Sequence, residues 1–281
     1  MIFSVTHLNP DTLFKIFDSL SGLYSDIQLL INKDSIQMSQ MDSSQICLTK
    51  LELSSEDFES YQCNETNIQI GVSLKYFTSI LKAGKKSNKI TISMKNTDNL
   101  NIQFYTQSDS KEYTLKLLDL QNDILEIPDM DPWCEFTMTP YLYNDILESA
   151  AITETQTLEI VNKDNKLVFK SDGKIGTSNQ VFKSGSYSEK KRKIVIKKNG
   201  DKISTNHFSA NNKSYILSCG EDNDINLEFS IKMLLLFKKS SNLAEKVTLN
   251  LYPNCPLRLD IMINENNGSF LFFYLAPKLS E

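Results

Sequence analysis

The sequence predicts an α+β fold made of two similar domains, each with antiparallel sheets and two short helices. One observation is that two helix signatures occur twice, in the same order. Residues 9–19 correspond to residues 139–149, and residues 73–82 correspond to residues 230–239. The other observation is that short segments of alternating apolar and polar residues fill the sequence between the helices. Because an internal repeat indicates one structural unit used more than once, the two halves are expected to share a fold and to serve a symmetric task.

The first residues of each helix signature favour helix formation. Asn9 and Thr139 are preferred N-cap residues, and each precedes a proline, which is favoured at the first helical position. Ser73 and Ser230 are expected to cap the other two helices. Apolar residues recur at helical spacing, so each helix is expected to pack one face on a sheet and to leave its opposite face exposed on a common side.

Strict alternation predicts roughly eight strands in each half. Typical segments are residues 68–72, 90–94 and 257–263. A period of two places one side of a strand on a core and the other side in water. The strands follow one another closely, with Asn, Asp, Ser and Gly between them, which predicts antiparallel meanders.

The repeat divides the chain into an N-terminal domain of residues 1–117, a connector of residues 118–134 and a C-terminal domain of residues 135–281. The connector is acidic and contains Pro128 and Pro132. An extended linker that still packs its apolar side chains is therefore expected.

A basic insertion is predicted near residues 183–217. The helix starts are 64 residues apart in the first half and 91 in the second, and the strand alternation is interrupted in this region. Residues 183–202 contain eight basic residues and two acids. A solvated hairpin is one interpretation, because charge runs are usually solvated. Residues 190–193, Lys-Lys-Arg-Lys, also fit a nuclear-localisation pattern or a phosphate-binding patch.

The composition argues against several classes of protein. The 281-residue chain has a net charge of −5, so a nucleic-acid role must depend on where its lysines lie. Five scattered cysteines without a Cys-x-x-Cys pair favour reduced thiols in an intracellular protein over a disulfide or a zinc site. No signal peptide is visible, and no apolar run approaches the roughly 20 residues of a membrane helix, so no membrane partner is expected.

The sequence contains no recognisable catalytic motif. His7 and His207 have neither a metal-ligand spacing nor a nucleophile partner. Residues 83–87, Ala-Gly-Lys-Lys-Ser, lack the first glycine of a phosphate-binding loop because position 79 is serine. The carboxylates form no spaced pair of the kind that hydrolases use. The sequence therefore favours a binding scaffold that is not an enzyme and holds no metal or cofactor.

Four blocks of sequence indicate a particular protein family more specifically than composition or periodicity does. Residues 40–48 are Gln-Met-Asp-Ser-Ser-Gln-Ile-Cys-Leu, residues 61–82 include Tyr-Gln-Cys and Gly-Val-Ser-Leu, residues 113–128 run from Tyr-Thr-Leu-Lys to Ile-Pro, and residues 274–278 are Tyr-Leu-Ala-Pro-Lys. Together they resemble the proliferating cell nuclear antigen (PCNA) family, the eukaryotic-type DNA sliding clamps. The first block is similar to its Met-Asp-Ser-Ser-His-Val segment, the third to its interdomain connector and the fourth to its C-terminal signature.

The resemblance implies the DNA-clamp fold and a homotrimeric ring with pseudo-six-fold symmetry. Twelve helices would line a central hole, and the ring would encircle double-stranded DNA without sequence specificity. It would act as a processivity factor, because a ring that encircles the duplex stays topologically linked to it. Bound to the ring, DNA polymerase, a clamp loader and other PIP-motif proteins of replication and repair would be tethered to the DNA. Subunits of the family join by pairing edge strands head to tail.

The resemblance also implies three sets of site residues. The DNA-binding candidates are Lys15, Lys75, Lys82, Lys85, Lys86, Lys190, Lys191, Arg192, Lys193, Lys232, Lys238 and Lys239. The expected lining of the partner-peptide (PIP-box) pocket is Met41, Gln45, Ile46, Leu48, Leu125, Ile127, Pro256, Tyr274, Ala276 and Pro277. The expected subunit interface contains Tyr113, Leu115, Leu117, Asn179 and Val181.

Three features depart from the family pattern. Gln45 stands where the family usually has His, which is expected to alter peptide preference. Asp145 and Glu148 stand at arginine positions of the third helix, so this helix is expected to repel phosphate. The basic insertion is unusual for the family, and the hypothesis is that it supplies the DNA contacts that the acidic helix lacks.

One other function stays open at the level of sequence. It is a clamp-fold subunit diverged to a heterotrimeric checkpoint-type role or to a viral transcription role. An enzyme acting on nucleic acid would need clustered carboxylates or a metal site, and the sequence shows neither. The expected location is the nucleus, or a viral replication site if the source is a virus.

Overall fold

The computed structural model describes residues 1–120, 130–188, 194–198, 201–205, 214–220 and 224–278. Within these ranges the chain has an α+β fold with four α-helices and sheets of antiparallel strands. The elements of the first half are β1 (Phe3–His7), α1 (Pro10–Leu20), β2 (Asp26–Ile31), β3 (Ser35–Met41), β4 (Cys47–Ser54), a 3-10 helix (Ser55–Asp57), β5 (Ser60–Cys63), β6 (Ile68–Ser73), α2 (Leu74–Gly84), β7 (Lys89–Met94), β8 (Asn99–Tyr105) and β9 (Ser110–Lys116).

The second half repeats this order around an added hairpin. Its elements are β10 (Cys134–Met138), α3 (Pro140–Ala151), β11 (Thr157–Lys163), β12 (Lys166–Asp172), β13 (Thr177–Lys183), β14 (Gly185–Ser188), β15 (Ile194–Lys198), β16 (Asp201–Thr205), β17 (Ser214–Cys219), β18 (Ile225–Ser230), α4 (Ile231–Ser241), β19 (Val247–Leu251), β20 (Leu257–Asn264) and β21 (Ser269–Leu275). The predicted pairs of helices are confirmed: α1 and α3 occupy equivalent places, and so do α2 and α4.

A ten-stranded sheet joins the two halves. Its order is β14-β17-β10-β19-β20-β21-β4-β3-β2-β6, so the two halves meet where β21 pairs with β4. Buried Leu271 lies opposite buried Leu51 across this seam. A five-stranded sheet (β5-β1-β7-β8-β9) belongs to the first half, and a four-stranded sheet (β13-β12-β11-β18) belongs to the second. Backbone hydrogen bonding across the seam therefore makes the two halves one continuous layer.

The helices form one layer packed on these sheets. α1 lies beside α2, α3 lies beside α4, and α1 also contacts α4, so the row crosses from one half to the other. The rings of Phe17 and Phe77 meet edge to face at 4.9 Å between α1 and α2. Between α3 and α4, the buried hydroxyl of Tyr143 donates to the carbonyl of Leu234. The apolar face of each helix is thus packed against its neighbours.

The predicted N-caps are confirmed at two helix starts. The Asn9 side chain accepts the Thr12 N–H at 3.3 Å, and the Thr139 hydroxyl accepts the Leu142 N–H at 3.3 Å. Both bonds satisfy an N–H group that the helix itself cannot pair.

The prediction for the other two helix starts is wrong in one respect. Ser73 and Ser230 occupy the N-cap positions, but neither side chain forms a capping hydrogen bond. Each helix follows directly from a strand, and a neighbouring segment supplies an acceptor for the first helical N–H. The Leu74 N–H donates to the Ser25 carbonyl, and the Ile231 N–H donates to the Gln156 carbonyl.

The ends of the predicted connector lie on the ten-stranded sheet. The Leu118 N–H donates to the Gly71 carbonyl at 2.8 Å, and the Trp133 N–H donates to the Leu251 carbonyl at 2.9 Å. A Cβ atom at Gly71 would lie 2.5 Å from the Leu118 carbonyl oxygen, so only glycine permits this approach. Residues 121–129 of the connector lie outside the described residues.

The expectation of five reduced thiols is corrected by the pairing of two strands. Cys134 in β10 lies directly opposite Cys219 in β17, and a disulfide joins them. The two residues are 85 positions apart in the sequence, so no spacing motif could indicate this pair. Cys47, Cys63 and Cys255 are free thiols, as expected.

Within the described part of the chain, no helix is long and apolar enough to cross a membrane.

Candidate nucleic-acid interface and partner-binding surface

The exposed face of α2 carries the clearest set of DNA-binding candidates. Lys75 and Lys82 are exposed on this face, and Lys86 is exposed just beyond the end of the helix. Lys85 is half-buried, with its Nζ 5.1 Å from the centre of the Phe14 ring on α1. None of these four lysines has an ion-pair partner among the described residues. Their charges are therefore free to meet an anion.

A cleft of about 420 Å³ separates the exposed faces of α1 and α2. Its lining is Phe14, Asp18, Ser21, Tyr24, Ser25, Lys75, Thr78, Ser79 and Lys82. The lining combines two lysines and several hydroxyl groups with one carboxylate. The carboxylate of Asp18 already pairs with Lys239, so the cleft has an excess of positive charge.

Three other lysine candidates form ion pairs with acids of the chain itself. Lys15 binds Asp11 one turn earlier on α1 at 2.7 Å. Lys239 on α4 binds Asp18 on α1 at 2.6 Å. Lys238 on α4 forms an ion pair with Glu148 on α3. An acid therefore neutralises each of these three charges in the free protein, which distinguishes them from the lysines of α2.

The counterpart lysine Lys232 at the start of α4 is exposed and has no ion-pair partner among the described residues. Lys75 holds the same place on α2. The repeat therefore places one unpaired lysine near the start of each of these helices. The registers of Lys82 and Lys239 are also equivalent, but only Lys239 is paired.

The predicted acidic character of α3 is visible on its exposed side. The Glu148 side chain is 60% exposed and forms its ion pair with Lys238, and Asp145 is half-buried on the same helix. α3 contains these two acids and no lysine or arginine, so it offers no cation to a phosphate. The helix layer is thus basic on α2 and acidic on α3.

The basic insertion extends a hairpin of the ten-stranded sheet. β14 pairs with β17, and β15 pairs with β16 in a separate two-stranded ladder, with Lys197 opposite Lys202. Both strand pairs are antiparallel, as in a hairpin. Lys190, Lys191, Arg192 and Lys193 lie outside the described residues.

The predicted partner pocket begins on three neighbouring strands. Leu48 in β4 lies directly opposite Met41 in β3 and directly opposite Tyr274 in β21. Residues opposite one another in antiparallel strands project to the same side of a sheet. Met41 is 38% exposed and Leu48 only 5%, so Leu48 forms the floor between its two neighbours.

The rim of this pocket combines the loop after β3 with the segment after β21. The Ala276 N–H donates to the Ile46 carbonyl at 2.9 Å, which holds the two segments together. The Ile46 side chain is 37% exposed, Pro277 is half-buried, and Pro256 is exposed just before β20. Leu125 and Ile127, the remaining predicted lining residues, lie outside the described residues.

Asp42 shapes the rim loop. Its carboxylate accepts the backbone N–H groups of Ser44, Ile46 and Cys47 at 2.7–3.0 Å, and it also accepts the Ser44 hydroxyl. Burial alone would raise the pKa of Asp42, but these hydrogen bonds hold it below its usual value. The tight loop puts Gln45 in the left-handed region with φ 59°, and its side chain is exposed at the rim.

The two predicted interface strands are sheet edges. β9 ends the five-stranded sheet and β13 ends the four-stranded sheet. Asn179 and Val181 project outward from β13 and are exposed, with Val181 55% exposed. Tyr113 is half-buried against the Phe104 ring at 6.0 Å. Leu115 packs into the core of its own domain, and Leu117 lies just beyond β9 with its N–H bonded to the Asp98 carbonyl.

Sequence reasoning missed several residues beside these surfaces. Asp11 could have been recognised, because it lies four residues before Lys15 on one helix. Asp18 could not, because its partner Lys239 is 221 positions away. Met130 and Trp133 at the end of the connector are 41% and 38% exposed.

No group of three or more metal-ligating side chains occurs in the ranges that the structure describes. The surfaces described above are basic helix faces, apolar side chains around Leu48, and the sheet edges β9 and β13.

Models of one protein family match both halves of the chain. The model described as "Proliferating cell nuclear antigen, N-terminal domain" matches residues 4–125, and the model described as "Proliferating cell nuclear antigen, C-terminal domain" matches residues 198–278. The chain belongs to the PCNA family. Clamps of this family are non-enzymatic scaffold proteins, and the two-domain clamp fold agrees with the antiparallel sheets and four helices described above.

Individual PCNA relatives match nearly the whole chain. The proliferating cell nuclear antigen of Chaetomium thermophilum is 29% identical over 271 residues, which cover 95% of this chain and 94% of the relative. The protein of the same name from Caenorhabditis elegans is 26% identical over 292 residues, covering 100% and 98%. Proliferating cell nuclear antigen 2 of Plasmodium falciparum is 24% identical over 282 residues, covering 95% of each.

Proposed function

We propose that this chain is a DNA polymerase processivity factor that acts as a homotrimeric ring around duplex DNA. The observation that carries the proposal is the single row of four helices, with unpaired lysines on α2 and at the start of α4. Phosphates attract lysines without regard to base sequence, so such a wall would hold a duplex loosely and let it slide. Processivity would then come from linkage of ring and DNA.

Ring closure would use the sheet edges β9 and β13. Strand β9 of one subunit would pair with β13 of the next, which would satisfy backbone groups that are open in the single chain. Tyr113 and Leu117 on one side and Asn179 and Val181 on the other are the proposed side-chain contacts, whereas Leu115 is buried in its own domain and could contribute only its backbone. Each subunit offers one edge of each kind, so the contact is head to tail and closes by rotation.

Partner proteins would dock a PIP-motif peptide in the pocket of Met41, Leu48 and Tyr274. The half-exposed apolar side chains suit a peptide with aromatic anchors. The proposed partners are DNA polymerase, the clamp loader and other PIP-motif proteins. The proposed location is the nucleus, or a viral replication site for a viral source.

The decisive experiment combines solution mass with a topological test. Light scattering should give three times the 32.1 kDa mass of the chain. Protein loaded on nicked circular DNA should stay bound at moderate salt and should be released when a nuclease makes the circle linear. A stable monomer, or a trimer only with other clamp-like chains, would favour the diverged heterotrimeric role instead. Equal retention on circular and linear DNA would contradict encirclement.

A further inference from the structure

An aromatic stripe extends from the proposed partner pocket along the seam of the ten-stranded sheet. Buried and half-buried residues alternate along β21. The three half-buried residues on the pocket side are Phe270, Phe272 and Tyr274, which we call the β21 stripe. Alternate residues of a strand lie on one side of a sheet about 6.8 Å apart, so the stripe runs roughly 14 Å from Tyr274 away from the pocket.

The side chains of the stripe are held in place by contacts with one another and with the adjacent strand. The rings of Phe270 and Phe272 stack at 4.1 Å between centroids with 19° between their planes. On the adjacent strand, Met262 lies opposite Phe270, and the Arg258 guanidinium lies 5.2 Å from the Phe272 ring centre. Half-buried aromatic rings on the polar side of an alternating strand indicate a contact surface.

Two charged residues of opposite sign lie at different positions along the stripe. Lys50 of β4 lies opposite Phe272 with its Nζ 5.9 Å from the centre of the Tyr274 ring, and Glu52 lies opposite Phe270. Neither has an ion-pair partner among the described residues. Arg258 does not add a free charge, because it forms two hydrogen bonds of 2.8 and 3.0 Å with Asp260. A ligand on the stripe therefore meets a cation at the Tyr274 end and an anion near Phe270.

From this geometry we infer that the β21 stripe is a second docking surface, which takes an extended segment flanking the peptide of a bound partner protein. This inference rests on the proposed peptide pocket, with which the stripe is continuous through Tyr274. An extended segment repeats its side chains every two residues at the same spacing as β21. It would place apolar side chains over Phe272 and Phe270, a carboxylate near Lys50 and no carboxylate near Glu52.

Three labelled synthetic peptides test the inference by fluorescence anisotropy with the full-length protein. One is a PIP-motif peptide alone; the other two add five residues at one end or the other, with valines at alternate positions and one Asp between them. One of the two extended peptides should bind about tenfold more tightly than the short peptide. Phe272→Ser should reduce that gain to less than twofold and should leave the Kd of the short peptide unchanged. Tyr274→Ala should weaken binding of all three.

A charge exchange keeps the test independent of the folding of the Phe272 variant. Lys50→Glu should weaken the extended peptide that carries Asp, and replacing that Asp by Lys in the peptide should restore binding. The inference is overturned if neither extension tightens binding, or if the gain survives in Phe272→Ser and in Lys50→Glu. Failure of the short peptide to bind the wild-type protein would instead overturn the proposed pocket, and the stripe proposal with it.

Discussion

The Nζ atom of Lys239 lies 2.6 Å from the Asp18 carboxylate and 2.9 Å from the Asp18 carbonyl oxygen. The two residues belong to α4 and α1, so this ion pair joins the helices of the two halves at the middle of the helix row. Exposed ion pairs of this kind contribute at most about 1 kcal/mol. Its larger effect is on charge, because Asp18 neutralises one of the lysines that the repeat places on the proposed DNA-facing surface.

Asp18→Asn should therefore increase DNA affinity. The change frees the charge of Lys239 and removes an acid from the cleft between α1 and α2. We expect a two- to fivefold gain in affinity for duplex DNA at low salt and a steeper salt dependence by about one unit, near the 0.9 expected for each phosphate contact. Anisotropy titrations over a range of salt concentrations measure both quantities.

The matched control for Asp18→Asn is Asp172→Asn on β12. It removes the same charge from an exposed position away from the helix row. A similar gain in both variants would show that net charge alone is responsible. No gain in Asp18→Asn would mean that Lys239 does not face the DNA.

Val181→Glu should disrupt the trimer. Val181 is 55% exposed on the free edge β13, so a charge there costs the single chain little, within about 0.5 kcal/mol. In the proposed ring the same charge would lie in a subunit contact without a partner. We expect the trimer to dissociate to monomers at micromolar concentration, as measured by light scattering.

Ile216→Glu is the control for this variant. Ile216 is similarly exposed, at 53%, but it lies on β17, which has paired strands on both sides. The oligomer mass of the Ile216→Glu variant should remain that of the wild-type protein. If Ile216→Glu lost the trimer and Val181→Glu did not, the subunit interface would have to lie elsewhere than at β13.

Local pattern was enough to predict the helices and most strands. The signatures at residues 73–82 and 230–239 correspond to α2 and α4 within two residues at each end, because apolar spacing and strand alternation depend on neighbours in the sequence. The Asn9 and Thr139 caps follow from the same local chemistry. The Ser73 side chain forms no capping bond, and the first helical N–H, that of Leu74, donates to the Ser25 carbonyl of another segment, a contact that local sequence does not indicate.

Contacts between residues far apart in the chain could not be predicted from the sequence. The disulfide of Cys134 joins residues 85 positions apart, and the ion pair of Lys238 with Glu148 joins residues 90 positions apart. Both depend on which strands and helices become neighbours, and no local period encodes that choice. The family resemblance supplied the surfaces, but it did not show that three of the proposed DNA-facing lysines are neutralised.

Neutralising the basic insertion should weaken DNA binding if it compensates for the acidic side of α3. The variant changes Lys190, Lys191, Arg192 and Lys193 to Gln. We expect lower affinity for duplex DNA and a smaller salt slope, measured by anisotropy, because fewer counterions would be released. The control changes Lys163 and Lys166 at the β11–β12 turn to Gln. Unchanged affinity and slope in the insertion variant would rule the hypothesis out.

His7 should make folding stability depend on pH just below neutrality. Burial lowers the pKa of His7, and the nearby Asp57 carboxylate opposes that shift only in part. The neutral ring is the form that fits, because Nδ1 accepts the Asn9 N–H at 2.9 Å just before α1 begins. A group whose folded pKa is depressed stabilises the fold fully above its unfolded pKa of about 6.5, and this contribution is lost as the pH falls below that value.

Urea unfolding of the wild-type protein and of His7→Gln at pH 7.5 and pH 5.5 checks this expectation. The free energy of unfolding should fall between these pH values in the wild-type protein, and it should fall less in His7→Gln, which cannot gain the proton. His207→Gln is the comparison, because it removes the only other histidine of the chain. An equal fall in the wild-type protein and His7→Gln would assign the pH dependence to the carboxylates, since His7 would then contribute nothing to it.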